Sequence, residues 1–516
     1  MGGGAESDVR LAELLGALSL GIDLAFGQPM EHVLRQCRIA MRLCELTGAD
    51  EDTRAAAYYS ALLVNVGCHA DAHEQARWFG DDIAFKTHKY DDPASKLAEL
   101  TTMLGLLGAG SSPLHRLRVG FEFLLGGHKE VEAMIAEHAR LARALGEELG
   151  LPGGALDALA GSYERWDGCG WPGERRGDQI PIAARVVQLA EFAEVAYRNH
   201  GVDGAVAFAG HGAATQFDPS LVATLRANAE KVFHQLDEIG SWDAVLDGEP
   251  ALRVLTQATV DAALAAIGRF VDLKSPYFLG HSEAVANLAV AAAAGVEMTA
   301  AERSSVYRAG LTAGFGRLGV SNAVWDKPRP LSTAEWERVR LVPQLGQHML
   351  QQSAALAPTA RIVGQHRERL DGSGYPGGVA GDGISRAARV VAAADSYQAM
   401  LEPRPHRAPR APDEAANELR VDAREGRLDP EVVAAVLAAA GHRVPRRRAD
   451  NKGLTNREID VLRLVARGLP NKEIAKRLVV TPKTVGNHIE HIYTKIGVSN
   501  RAAAALFATR HGLLPE

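Results

Sequence analysis

The chain has 516 residues, 47% of them hydrophobic and 23% charged, a balance that excludes a disordered protein and leaves room for about three domains. Its four cysteines, Cys37, Cys44, Cys68 and Cys169, contain no CxxC pair, which argues against a disulfide scaffold and a Cys-rich zinc finger. The formal net charge is −6, but residues 445–516 carry 14 Lys+Arg against 6 Asp+Glu, so +8 sits at the C-terminal end and −14 on the rest. That asymmetry points to a polyanionic partner for the tail alone.

The N-terminal stretch lacks a basic region, an apolar run and a cleavage site, and Leu288–Val296 is too short to cross a bilayer. The expectation is a cytoplasmic protein with no membrane partner. Val33, Cys37, Ala40, Met41 and Cys44 fall on one helical face, which makes Cys37 and Cys44 core residues. Cys68, His69, Asp71 and His73 then crowd donors into one short stretch. Their types would suit a metal or another ligand; a polar helix end explains them equally simply.

An internal repeat follows. SYERWDGCGWPGERRGDQIPIAARVV (Ser162–Val187) and HRERLDGSGYPGGVAGDGISRAARVV (His366–Val391) match at one constant spacing. Upstream, His32 answers His281, and Ala61–Gly67 answers Ala309–Gly316, at a larger spacing. The first copy therefore carries extra residues mid-domain, assigned to the region His88–Gly127. The predicted fold is all-α: two related helical domains at 1–235 and 270–441, joined by a helical segment at 236–269. A basic linker at 442–453 leads to a small domain at 454–516.

In that small domain, Thr455-x-x-Glu458 is a capping box, and Ile459, Leu462 and Val465 give the first helix its buried stripe. Gly468 ends that helix, Asn471 is expected to cap the second, and Thr481 with Pro482 opens the third. Val485, Ile489 and Ile492 face inward, which leaves Lys483, Thr484, Asn487 and His488 outward. The segment Leu454–Leu514 resembles the LuxR-type helix-turn-helix domain. The resemblance implies double-stranded DNA as partner and a homodimer, with Ala502–Ala505 and Phe507 as contacts between the two copies. The third helix would enter the major groove, with Lys483, Thr484, Asn487 and His488 toward DNA and Lys476, Lys495 and Arg501 toward phosphates.

The second repeat, with HSEAVANLA, HRERLDGSGYPGG and AARVVAAADSYQAM, resembles the HD-GYP family of HD-superfamily phosphohydrolases. Such enzymes are all-helical and use two or three metal ions to hydrolyse cyclic dinucleotides. Matched residue by residue, the metal set is broken. Ala313-Gly314 stand at the His-Asp signature, Val342 at a further histidine, and His366-Arg367 at a His-His pair. His281, His366 and Asp395 remain as donors for one residual ion. Arg367 adds positive charge where a cation belongs, and with Arg317 it is a possible site for a small anionic or nucleotide ligand. The first repeat resembles the family more faintly: His32 and His138 fall at ligand positions, Val64-Asn65 replaces His-Asp, Ser162-Tyr163 replaces His-His and Glu191 replaces the last aspartate.

The resulting expectation is a transcriptional regulator, not an enzyme. It would have no cofactor beyond that one conceivable metal ion, and its pseudo-enzyme body would sense a ligand or a regulatory protein and mediate dimerisation. Two alternatives stand beside it: a metal-dependent phosphodiesterase fused to a DNA-binding domain, and a protein-interaction scaffold that controls DNA binding.

Overall fold

The computed structural model describes residues 9–90, 105–108, 113–123, 128–237, 240–443, 453–510 and 513. The regular secondary structure of the described chain is almost wholly helical; Val9–Arg10 and Val254–Leu255 form one short antiparallel pair. Two compact units divide at His442 and Arg443. Most of the linker and of the region His88–Gly127 lies outside the described residues.

The larger unit contains the two repeats, and side-chain chemistry makes their correspondence visible. In the first, the helix Leu11–Ala25 ends near Asp23, whose carboxylate accepts from the Val33 amide at 3.1 Å. In the second, the helix Gln257–Asp272 ends on Asp272, which accepts from the Ser282 amide at 2.8 Å. The next helix of each copy, His32–Leu46 and His281–Gly295, starts on the matched histidine after a left-handed residue, Glu31 (φ 77°) and Gly280 (φ 76°). The expected domain boundary at 269/270 falls inside Gln257–Asp272, because that helix opens the second copy as Leu11–Ala25 opens the first.

The repeated DGxGxP loops are built around a buried glutamate. Glu164 accepts from the amides of Gly173, Glu174 and Arg175 at 3.2, 2.9 and 3.1 Å, and Glu368 from those of Gly377 and Val379 at 2.7 and 3.0 Å. A buried carboxylate thus gathers the loop amides and closes each loop on its own base. A Cβ on Gly170 would sit 2.4 Å from the Arg165 nitrogen, and one on Gly374 2.4 Å from that of Arg369, so close backbone approach requires both glycines.

The copies pack on one another through buried polar contacts. Asp82 accepts from the Ser321 hydroxyl at 2.7 Å and the Asn322 amide at 2.8 Å, with Lys86 and the fully buried Lys274 at 3.3 and 3.5 Å. Burial opposes the charge on Asp82, but the two lysines outweigh it and hold the carboxyl at about 2. Asp326 gathers His73, Ser275 and Asn322 at 2.9, 2.6 and 2.8 Å. Among the described residues no helix is long and apolar enough to cross a membrane.

The described residues of the smaller unit form four helices, Asn456–Ala466, Asn471–Leu478, Pro482–Ile496 and Arg501–Arg510, around Val461, Leu462, Ile474, Val485 and Ile492. The Thr455/Glu458 capping box forms, and Thr481 caps the third helix through the Thr484 amide at 3.2 Å. Asn471 does not cap the second helix: Pro470 holds the N-cap position without a side-chain bond, and Asn471 is the first helical residue. Arg467 terminates the first helix and Gly468 follows at φ 83°, the left-handed position glycine favours.

Candidate functional site

In the second copy, the start of the helix His281–Gly295, the end of the helix Ala357–Gln365 and the middle of the helix Arg386–Leu401 bring His281, His366, Arg367 and Asp395 together. The Asp395 carboxylate, on the helix Arg386–Leu401, receives His281 Nε2 at 3.1 Å and Arg367 Nη2 at 3.1 Å. Arg367 Nη1 adds an ion-pair contact with the other carboxylate oxygen at 2.8 Å. The Arg367 Nε–H also points at His366 Nε2 at 3.3 Å, while His366 Nδ1 faces the Val363 carbonyl at 2.6 Å. Burial favours the neutral acid at Asp395, yet Arg367 and the His281 hydrogen bond outweigh it and hold the carboxyl well below the usual range. Burial and the adjacent Arg367 push the His366 imidazole down to about 3.

A metal ion here would need the Asp395 carboxylate and the His366 Nε2 lone pair, and one guanidinium engages both. Ala313 and Gly314 supply no side-chain donor nearby. The residues present do not fit the metal centre of the family that the sequence resembles, and His281, His366 and Asp395 form a hydrogen-bonded cluster around an internal cation. His281 Nδ1 completes the cluster on Glu402 at 2.8 Å. Arg317 is buried over the Phe278 ring at 4.4 Å, with Asp272 at 3.7 Å and Asp395 at 4.0 Å. Two open grooves of about 610 and 770 Å³ border the DGSGYP loop, and neither is lined by Arg317 or Arg367. The two arginines expected to meet an anionic ligand thus already face carboxylates.

The first copy repeats this arrangement with different residues. Glu191 Oε1 receives Asn65 Nδ2 at 2.7 Å, the Tyr90 hydroxyl at 2.9 Å and Lys89 Nζ at 2.6 Å. Lys89 also donates to Asn65 Oδ1 at 2.9 Å, inside a ring cage that includes Tyr163 at 5.2 Å and Phe26 at 5.5 Å. Burial opposes the charge on Glu191, but Lys89 prevails and lowers its pKa. His32 turns instead to Glu194, with Nδ1 at 2.5 Å. Sequence reasoning missed Lys89, which lies at the edge of the non-repeated region and has no counterpart in the second copy. The one signal available was that Glu191 needed a cation.

The cluster at Cys68–His73 splits. Cys68 Sγ and Asp71 Oδ2 meet the two ring nitrogens of His138, at 3.2 Å to Nδ1 and 2.8 Å to Nε2. His69 and His73 turn to the second copy: His69 Nε2 faces the Phe270 carbonyl at 2.6 Å, and His73 bonds Asp326. Cys68, His69, Asp71 and His73 therefore do not converge on one ion, because the chain turns between them. Among the described residues no group of three or more such donors could hold a metal.

In the helix-turn-helix unit, Lys483, Asn487 and Lys476 are exposed, and Thr484 and His488 are half-buried. Two of the expected phosphate contacts have internal partners. Lys495 Nζ binds Glu458 at 2.8 Å and the Gly453 carbonyl at 3.0 Å, and Arg501 donates to the Leu469 carbonyl. Burial opposes the Glu458 charge, but Lys495 and Thr455 outweigh it and hold the carboxyl at about 2. On the last helix Ala504 is buried and Phe507 packs against the core, while the side chain of Ala502 lies outside the described residues.

Comparison with known proteins agrees with this division. The family model described as HD domain matches residues 266–432, and the one described as bacterial regulatory proteins, luxR family, matches 452–508. A 3'3'-cGAMP-specific phosphodiesterase 3 of Vibrio cholerae is 30% identical over 440 residues, covering 84% of this chain and 95% of that protein. The solved structure of a cyclic GMP-AMP-specific phosphodiesterase from the same organism superimposes with a TM-score of 0.59 at 26% identity, covering 85% of this chain and 99% of the other. The tail is 51% identical over 59 residues to a protein named as an HTH-type transcriptional regulator in Mycobacterium bovis, 11% of this chain and 7% of that one.

Proposed function

Since the chain belongs to the HD-domain family of the Vibrio phosphodiesterase and ends in a LuxR-type helix-turn-helix domain, we propose that it is a DNA-binding transcriptional regulator with a catalytically silent body. The observation that carries this reading is the engagement of two of the three surviving donors, Asp395 and His366, by the Arg367 guanidinium. Lys89 on Glu191 plays the same part in the first copy. A hydrolase of this kind needs a metal to activate water and to stabilise charge on phosphorus, and an internal cation fixed by a carboxylate does neither. The body then senses a cyclic dinucleotide or a regulatory protein and holds a homodimer. The tail presents Lys483, Asn487, Thr484 and His488 to the major groove, with Lys476 toward phosphate.

The test combines turnover and binding on one preparation. Full-length protein purified without chelator is incubated with 3'3'-cyclic GMP-AMP and Mn²⁺, Fe²⁺ or Mg²⁺, and linear product is followed beside calorimetric binding. The expected result is no product in any metal, with substoichiometric bound metal. Turnover that Asp395→Asn abolishes would overturn the reading. The identity to an enzyme over most of the body favours a second reading, a phosphodiesterase with a rearranged centre, and that outcome would establish it.

A further inference from the structure

Beside Lys89 and Glu191, four segments of the first copy bring a thiol, an imidazole, a carboxylate and a phenol into one line, with His138 and Tyr163 standing at positions where the family carries ligands. Cys68 comes from the short turn Val66–His69, Asp71 from the start of the next helix, His138 from the helix His128–Glu148, and Tyr163 from the loop before WDGCGWP. Asp71 Oδ2 lies 2.8 Å from His138 Nε2, so that nitrogen carries the proton and Nδ1 is presented to Cys68 Sγ at 3.2 Å. The Tyr163 hydroxyl lies 2.9 Å from the same sulfur; its other acceptors, the Val64 carbonyl and Asn65 Oδ1, are farther, at 3.3 and 3.4 Å. The sulfur thus lies between the unprotonated Nδ1, which can take the thiol proton, and the Tyr163 hydroxyl, which is within hydrogen-bond distance of it. Carboxylate, imidazole and thiol in sequence is the arrangement that generates a thiolate–imidazolium pair.

Nothing in the proposed regulator function uses this group. We propose that Cys68 is a redox-active cysteine that hydrogen peroxide oxidises to a sulfenic acid, with His138 as its proton-transfer partner and Asp71 as a positioning residue. The thiolate attacks one peroxide oxygen. The S–O bond forms as the O–O bond breaks, the sulfur loses two electrons, and the leaving hydroxide takes the His138 Nδ1 proton and departs as water. Cys68 is 3% exposed and the neighbouring Asp71 side chain 13%, so the oxidant must be as small as hydrogen peroxide.

The other thiols serve as internal controls. Burial pushes the Cys44 thiol up to about 12 and the Cys37 thiol higher, which keeps both protonated, and Cys169 is exposed with no imidazole partner among its hydrogen bonds. Oxidation would also be felt beyond the cluster. Gly67 packs so closely on the helix of His138 that a Cβ there would sit 2.3 Å from the His138 carbonyl oxygen, and His69, adjacent to Cys68, contacts Phe270 of the second copy.

The test treats full-length protein with limiting hydrogen peroxide in the presence of dimedone and locates the adduct by peptide mass spectrometry. Wild type is expected to label at Cys68 before Cys169, Cys37 and Cys44, and His138→Gln to slow that labelling about tenfold or more. Asp71→Asn, which leaves the imidazole in place, should give an intermediate rate and serves if His138→Gln does not fold. Absence of label at Cys68, labelling no faster than at Cys169, or rates unchanged in a folded Asp71→Asn and His138→Gln would overturn the proposal.

Discussion

Replacing Arg367 by methionine keeps the length of the stem and removes the guanidinium. Asp395, 1% exposed, would then face only His281 at 3.1 Å and Arg317 at 4.0 Å. Removing one partner of a buried pair costs about 3–5 kcal/mol, because the remaining charge has lost both water and its counterion. The Arg367 side chain is 24% exposed, so the lower end applies, about 3 kcal/mol, or roughly a hundredfold in the folded-to-unfolded ratio. Urea unfolding of wild type, Arg367→Met, Asp395→Asn and the double variant gives the coupling free energy directly.

A pH series on the same four proteins adds a signature. The Asp395 carboxyl lies below its ordinary value in the native state, so the pair's contribution is complete above that ordinary value and is lost as pH falls toward the depressed one. In Arg367→Met the carboxyl loses its largest favourable charge and burial takes over, which raises its pKa. The variant should then recover part of its deficit on acidification from neutrality, where wild type gains nothing from this group. A deficit below about 1 kcal/mol at neutral pH, with no coupling in the cycle, would refute the internal-cation argument.

Other consequences are equally measurable. Lys89→Met should destabilise the first copy by about 2–3 kcal/mol in urea unfolding, since Asn65 and Tyr90 remain on Glu191, and Glu191→Gln in the same chain should restore most of it. Lys483→Ala should weaken DNA binding and reduce the slope of log affinity against log salt by about one, read by fluorescence anisotropy. Lys495→Ala should leave that slope unchanged, because its ammonium is held on Glu458. It should instead narrow the acid limit of the tail domain. The Glu458 carboxyl, held at about 2 in the native state, contributes stability that is lost as pH falls from the ordinary glutamate value toward 2; without Lys495 the domain lacks much of that contribution at neutral pH and unfolds at higher pH on acidification, visible by circular dichroism.

The fold class was legible because helical periodicity, capping residues and the duplicated loop are local or repeated signals. The matched spacing of DGCGWP and DGSGYP carries over into loops closed on Glu164 and Glu368. The Arg367 cation was visible in sequence as well, and the structure places its guanidinium on Asp395. What was not legible depended on distant packing. Lys89 meets Glu191 across more than a hundred residues, and the turn after Cys68 sends His69 and His73 away from Asp71. Lys495 read as a surface cation because sequence does not show Glu458 beneath it.

The two copies answer one electrostatic demand with residues from different elements. Each retains a buried carboxylate at the same repeat position, Glu191 and Asp395, and each meets it with a cation, Lys89 from a non-repeated segment or Arg367 from the repeated motif. A buried carboxylate without metal must be neutralised, paired or removed, and pairing is the route both copies take. If pairing were the whole role, replacing both members of one pair by uncharged residues of similar size should be neutral or stabilising. Arg367→Met with Asp395→Asn tests this: retained stability alongside lost DNA-binding control would place the ion pair in signalling, whereas retained stability and retained control would leave it as packing alone.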